Sequence, residues 1–599
     1  MTNLARDDRS SLDSQMDMGA VPSYLRPFLA EQDYAAYTAM DHAAWRYIMR
    51  VSKSFFVDHA HPMYLKGLAE TGITIDRIPS IKEMDDKLRR FGWRAVSITG
   101  FIPPEAFLEM LSLQLLPIAC DMRKLEHIEY TPAPDIVHEA AGHAPIIADE
   151  AYASYLRKFG EIARRVIFAK EDNEVYQAVL KLSEIKEDPH SKKADIESAQ
   201  AELDEAYKKV TYVSEAQQLT RLGWWTTEYG LFKKGDRFLM YGAGLLSSVG
   251  ESYNCLSDKV KRIPLTLECI EQDYDITKPQ PQLFYTDDFK KLEGVIEQLA
   301  SRMAYKRGGV YGLETAKRAG TVTTTELDSG LQISGVLTEY RTLSGERVSF
   351  IKLTGPVQLA YKDRQLEGQG PKGHPHGFST PLGKIKGIGC AASEMRQADF
   401  EKLGFKPGAK GRLEFESGIV LEGKLEHLTE RDGKTIVARF SDCSIKSGTE
   451  VLYDPSWGTF DLGCGEKVVS VFGNAAERGA YMEEVGPGAF RARAQKVNVT
   501  AENKELVPLY AKVRSIREGL GSNGVDGKQI EELEKIAGAL DTQFTEDWLL
   551  RVEMLEILAT SPAGRESALG PLLRERLKAL GAKSENIGTL IKRGLALIG

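Results

Sequence analysis

The spacing of apolar residues changes period near Gly320, and no single layer of helices or strands can absorb both patterns. From residue 31 to about residue 306, apolar side chains return every three or four positions, as one buried helix face requires. The run Asp33-Tyr-Ala-Ala-Tyr-Thr-Ala-Met-Asp-His-Ala-Ala-Trp45 belongs to a helix expected over 33–50. Ser80 followed by Glu83 reads as a capping-box start. Pro103-Pro104 precedes an apolar helix from 105 to about 116, with Pro117 as its expected stop. After Gly320, short β-branched runs at 321–327, 331–337, 412–416 and 435–440 are separated by Gly, Asp and Ser clusters. Helical spacing returns from about residue 501. The expected fold is mainly α. It comprises a polar N-terminal segment (1–30), a helix-rich domain (31–318), a β-rich sandwich or barrel module (319–480) and a helical C-terminal tail (481–599). Residues 171–210 carry 11 acids and 6 bases around Pro189 and read as a charged, solvated helical insertion spanning about 165–213.

Composition removes several function classes. The 599 residues carry 78 Lys+Arg against 86 Asp+Glu, a net −8 that argues against nucleic-acid binding through bulk charge. Six cysteines without a CxxC pair make neither a disulfide framework nor a cysteine-rich zinc site. The first residues lack an apolar core, so no signal peptide is read, and no stretch reaches the roughly 20 apolar residues of a membrane helix. The expectation is a soluble cytoplasmic protein with no membrane and no nucleic-acid partner.

Chemistry concentrates at Thr131-Pro-Ala-Pro-Asp-Ile-Val-His138-Glu139-Ala-Ala-Gly142-His143. Two histidines and an acid in six residues are similar to the zinc-hydrolase pattern HExxH, but the spacing is five rather than four. Five residues of a regular helix advance about 500°, leaving the imidazoles about 140° apart. A shared metal then requires His138 at a non-helical entrance, for which Pro134-Asp135 is suited, with Asp135 as N-cap. The third donor is read as Glu228, a carboxylate in the apolar run Trp224-Trp-Thr-Thr-Glu228-Tyr-Gly-Leu231, where an isolated charge is costly. Two histidines and one carboxylate leave one face of an octahedral metal open, which suits non-haem Fe(II) and O₂. The histidines at 42, 59, 61, 127, 190 and 427 are read as structural.

These residues resemble the pterin-dependent aromatic amino acid hydroxylases. The resemblance rests on Tyr130 to Glu139 with Gly142-His143-Ala-Pro145, on Thr227-Glu-Tyr-Gly-Leu231, and on Tyr241-Gly-Ala-Gly-Leu-Leu-Ser247-Ser248 with Glu251. It runs from about residue 31 to about 300. It implies a helix-rich hydroxylase domain that holds Fe(II) through His138, His143 and Glu228. It also implies a tetrahydropterin, tetrahydrobiopterin or a relative, against Ile102, Phe107 and Glu139, and O₂ as co-substrate. The aromatic amino acid would lie against Arg123, Thr131, Pro134, Trp224, Gly244, Ser247 and Ile276. Arg123 would pair with the substrate carboxylate, and Ser247 would orient His138.

The sequence departs from the family at Gly223, where members usually carry a tyrosine, and in the charged block between His143 and Glu228. An apolar Ile276 disfavours tyrosine and leaves phenylalanine, the first choice, or tryptophan. The expected activity is phenylalanine 4-hydroxylation, with tryptophan hydroxylation of the same family and a zinc hydrolase as alternatives. Residues 319–599 show no catalytic cluster and read as a separable binding or assembly module. Self-association is expected through this region or the charged insertion.

Overall fold

The structure is a computed structural model that describes residues 21–129, 133–187, 191–275, 278–486, 492–500 and 502–598. Thr131 and Ile276 lie outside the described residues, as do most of the polar N-terminal segment, Pro189 and His190.

The first half is built on a long helix, Ala39–His59, buried along most of its length. It starts later than the spacing predicts because Thr38 and Asp41 form a capping box. Thr38 Oγ1 accepts the Asp41 N–H at 3.1 Å, and the Asp41 carboxylate accepts the Thr38 N–H at 2.8 Å. Such a cap contributes about 1 kcal/mol and fixes the boundary, leaving 34–36 as a single 3-10 turn.

A second boundary also moves. The helix that carries Phe107 is Pro104–Ser112 and ends before Gln114, whose φ of 58° breaks the spiral. Pro117 is therefore not its stop. It lies within the strand Leu115–Ala119, which pairs in parallel with Arg94–Ile98 and sets Pro117 opposite Val96. A two-stranded ribbon leaves one edge of each strand free, so a residue without an N–H is tolerated there. A four-stranded sheet orders Arg237–Met240, Leu231–Lys234, Gln282–Thr286 and Lys261–Pro264. The charged block folds as two helices, Lys170–Glu187 and Lys193–Lys209, around a small core of Leu182, Ala199 and Leu203.

Two antiparallel sheets follow. One orders Arg364–Gln365, Arg347–Tyr361, Leu331–Leu343, Val322–Leu327 and Val468–Gly473, with Gly377–Pro381 added on Arg347–Tyr361. The other orders Gly411–Glu414, Ile419–Arg431, Lys434–Ser447 and Glu450–Tyr453, with Phe460–Gly463 added on Lys434–Ser447. The first and last strands of this region pair with each other. "Mainly α" is therefore too narrow for the whole chain: helices dominate the first half and the C-terminal region, with these sheets between them.

The C-terminal helices are not a detached tail. Val507–Glu518, Leu549–Leu558 and Glu585–Leu595 share one continuous apolar core with Ala39–His59. Tyr47 meets Trp548 edge-on at 5.0 Å and donates its hydroxyl to the Leu590 carbonyl at 2.6 Å. A buried charge network closes the seam: Arg46 pairs with Glu553 and Glu556, and Arg517 pairs with Glu553. Separability at about residue 318 does not follow from this packing, because a cut there would bare the inner face of Ala39–His59. Among the described residues, no helix is long and apolar enough to cross a membrane.

Candidate active site

Both segments that supply the candidate metal donors are π-helical. Val137–His143 and Trp224–Glu228 form wide turns in place of regular α-helix. The expected non-helical entrance at His138 is thus replaced by another device. An i→i+5 ladder stacks residues five apart on one face, which an α-helix cannot do. Asp135 still caps the turn, its Oδ1 accepting the His138 N–H at 3.0 Å. Gly142 lets the turn press against Ala243–Ser247, since a Cβ there would sit 2.8 Å from the Ala243 carbonyl oxygen. That close approach is what brings Ser247 beneath His138.

The structure gathers His138, His143 and Glu228 into one cluster. The two Nε2 atoms lie 3.2 Å apart, and each faces one Glu228 oxygen, at 3.3 Å from His138 and 3.2 Å from His143. Burial works against the Glu228 charge, but the two imidazoles outweigh it and hold the carboxyl well below the usual range. Ser247 fixes the His138 tautomer. Its hydroxyl donates to the Ala243 carbonyl at 2.7 Å, so its oxygen accepts from His138 Nδ1–H at 3.0 Å. The His138 Nε2 lone pair is then left pointing at the cluster. Among the described residues this is the one grouping of three His, Cys, Asp or Glu side chains able to hold a metal.

The cluster opens on a cleft of about 380 Å³, a size that suits a small organic ligand. Ile102, Phe107, Arg123, Pro134, Glu139, Trp224, Gly244 and Ser247 all line it with the three donors. Glu139 stands out: Oε2 is buried without a hydrogen-bond partner, and burial pushes its carboxyl up to about 8 against the pull of His143. Burial thus biases this carboxyl toward its neutral form. Arg123 is buried and turned onto Asp135 through a two-pronged pair at 2.7 Å, with Nη1 donating to the Ser247 carbonyl at 3.1 Å. Three of its five N–H groups are thus engaged, and two remain.

Sequence reasoning missed part of the wall. Trp224 is sandwiched between Tyr229, at 4.6 Å, and Tyr274, at 4.2 Å and nearly parallel. Phe159 covers the gap left by Gly223; a Cβ at 223 would meet its ring at 3.1 Å. No local signal marks Phe159, which arrives from the helix Glu150–Ala163.

Comparison with known proteins gives one consistent answer. The family described as biopterin-dependent aromatic amino acid hydroxylase matches residues 31–178 and 197–320. The phenylalanine-4-hydroxylase of Ralstonia nicotianae is 27% identical over 309 residues, covering 50% of this chain and 85% of that protein. The Chromobacterium violaceum enzyme of the same name is 26% identical over 268 residues, 44% of this chain and 75% of the other. The Bos taurus phenylalanine-4-hydroxylase is 29% identical over 271 residues, 44% of this chain and 50% of the other. A C. violaceum phenylalanine hydroxylase structure with iron(III) and 7,8-dihydrobiopterin bound aligns at a TM-score of 0.36 and 24% identity, over 50% of this chain and 94% of that one.

Proposed function

Through residues 31–320 the chain belongs to the biopterin-dependent aromatic amino acid hydroxylases, and from that premise we propose that it converts L-phenylalanine to L-tyrosine with Fe(II), a tetrahydropterin and O₂. The observation that carries the reading is the convergence of two imidazoles and one carboxylate, with one side open to an apolar cleft. That donor set fits Fe(II) and leaves coordination positions for other ligands.

His138, His143 and Glu228 would hold the iron, with Ser247 keeping His138 in the metal-binding tautomer. Ile102, Phe107 and Glu139 would form the pterin side. The orphaned Glu139 carboxyl fits this role, since a neutral acid can donate to a ring nitrogen or to a bridging water. When bound, the metal and pterin together supply the activation of O₂. The protein's part is to orient the substrate ring and to exclude water. Trp224, stacked between two tyrosines, gives that ring a rigid wall, with Pro134 and Gly244 beside it. Arg123 would offer its two remaining N–H groups to the substrate carboxylate. Thr131 and Ile276 complete the proposed substrate set, and the apolar Ile276 favours phenylalanine over tyrosine. Cytoplasmic location, and self-association through the C-terminal region or the charged helices, remain part of this proposal.

The test is incubation with Fe(II), tetrahydrobiopterin, O₂ and each of phenylalanine, tyrosine and tryptophan, followed by product analysis. Tyrosine formed from phenylalanine is the expected result. Hydroxytryptophan alone would move the substrate within the family, and no hydroxylated product from any of the three would overturn the proposal.

A further inference from the structure

One loop of the cleft is held by a segment beyond the family match and by the charged helix in which that match breaks off. Residues 99–102 join the strand Arg94–Ile98 to the helix Pro104–Ser112 and contribute Gly100, Phe101 and Ile102 to the cleft wall. The extended segment 492–500, which runs from the β-rich region toward the C-terminal helices, lies along this loop. Its Arg493 carbonyl accepts the Thr99 hydroxyl at 2.8 Å. The Arg493 guanidinium grips both oxygens of Asp121, and the same carboxylate accepts the N–H groups of Gly100, at 3.1 Å, and Lys496, at 2.8 Å.

Gly100 has φ +59°, and a Cβ there would come within 3.1 Å of Arg493. A glycine is what lets the guanidinium lie flat on the loop. Asp121 also reaches the metal side: its carbonyl accepts the Ile136 N–H at 2.8 Å, two residues before His138. The charged helices hold the loop from another direction, where Tyr176, on Lys170–Glu187, donates its hydroxyl to the Phe101 carbonyl at 3.3 Å. The family match breaks off at 178, within that helix, and ends at 320. A third tie fastens the adjacent helix, where Arg478 pairs with Glu109 and with the Arg164 carbonyl.

We infer that Arg493 and Tyr176 are positioning residues that set the loop 99–102 against the pterin, so that the C-terminal region and the charged helices shape the cofactor side of the cleft. The inference rests on the proposed pterin site. Neither residue lines the cleft: Tyr176 acts on the Phe101 carbonyl directly, and Arg493 acts through the Asp121 carboxylate that accepts the Gly100 N–H. Loss of either tie frees Phe101 and Ile102 and removes no side-chain contact of the iron donors or of the Trp224 wall.

The experiment uses the full chain and reads binding of 7,8-dihydrobiopterin by calorimetry, alongside the KM values for tetrahydrobiopterin and for phenylalanine. Arg493→Ala is expected to weaken dihydropterin binding about tenfold, and Tyr176→Phe about threefold, as loss of a charged and a neutral hydrogen bond would. KM for the pterin rises in step, KM for phenylalanine and iron content stay unchanged, and Arg493→Lys recovers part of the loss. If Arg493→Ala does not fold, Tyr176→Phe and Thr99→Val carry the test, since each removes a single side-chain donor. Unchanged dihydropterin affinity in the soluble variants, or equal rises in both KM values, overturns the inference while leaving the proposed function intact. A wild-type chain that binds no pterin overturns the function reading and this inference with it.

Discussion

The chain buries charge in two places and treats it in opposite ways. At the seam between Ala39–His59 and the C-terminal helices, Arg46 pairs with Glu553 and Glu556, and Arg517 pairs with Glu553. In the cleft, Glu228 faces two imidazoles, and one Glu139 oxygen is buried without a hydrogen-bond partner. The seam pairs arginine with glutamate directly, whereas the Glu228 carboxylate is met by imidazoles. Buried charge of the first kind fixes how two regions dock, and buried charge of the second kind is a donor set whose convergence suits a metal.

That contrast can be broken by substitution. The largest effect is expected at Glu228. Glu228→Ala removes the one carboxylate of the cluster, and turnover should fall on the order of a thousandfold, about 4 kcal/mol, with no loss of thermal midpoint in the metal-free protein. A large drop in that midpoint would make the cleft cluster structural, like the seam. At the seam, Glu553→Gln leaves Arg46 and Arg517 short of a counter-charge and should cost about 3 kcal/mol of stability, read by chemical denaturation with iron content unchanged. A cost below about 1 kcal/mol would mean that the network contributes little. Ser247→Ala frees the His138 ring and should weaken iron binding about 10- to 100-fold, measured by competition with a chelator; unchanged affinity would remove Ser247 from the site.

The last effect, read as a pH slope, concerns another buried acid, Glu215, which sits between the two kinds. It accepts the N–H groups of Ile167 and Ala304 and has no cation, and burial pushes its carboxyl from 4.5 up to about 7. A carboxyl whose folded value is raised favours the folded state most at low pH. Stability is therefore lost as pH rises from 4.5 through about 7, at up to about 1.4 kcal/mol per pH unit. Glu215→Gln should flatten that slope in denaturation curves taken across the window. An unchanged slope would assign it to other groups.

What the sequence revealed follows the range of the forces involved. The period change near Gly320 is local, and strands do begin at Val322. His138 and His143 could be named from their close spacing around an acid, and Glu228 because a costly carboxylate stood in an apolar run; the structure brings the three together. The means of bringing them together was hidden, because a π-turn differs from an α-turn in hydrogen bonding and not in residue type. Thr38 and Asp41 carried a legible capping signal that the apolar spacing overrode. Pro117 misled because a proline stops a helix but is also tolerated on a free strand edge. Phe159 and Tyr274 entered the cleft wall through tertiary packing alone, and so did the docking of the C-terminal helices.

The hydrogen bond between Tyr47 and Leu590 closes over 543 residues. At about 5–20 residues per second of synthesis, the first long helix leaves the ribosome roughly half a minute to two minutes before its last partner exists. Its apolar inner face has to be sheltered through that interval, by a chaperone or by provisional packing. The order of birth along the chain is thus the reverse of the order of need: the site-bearing half is made first and becomes complete only when the final helix arrives.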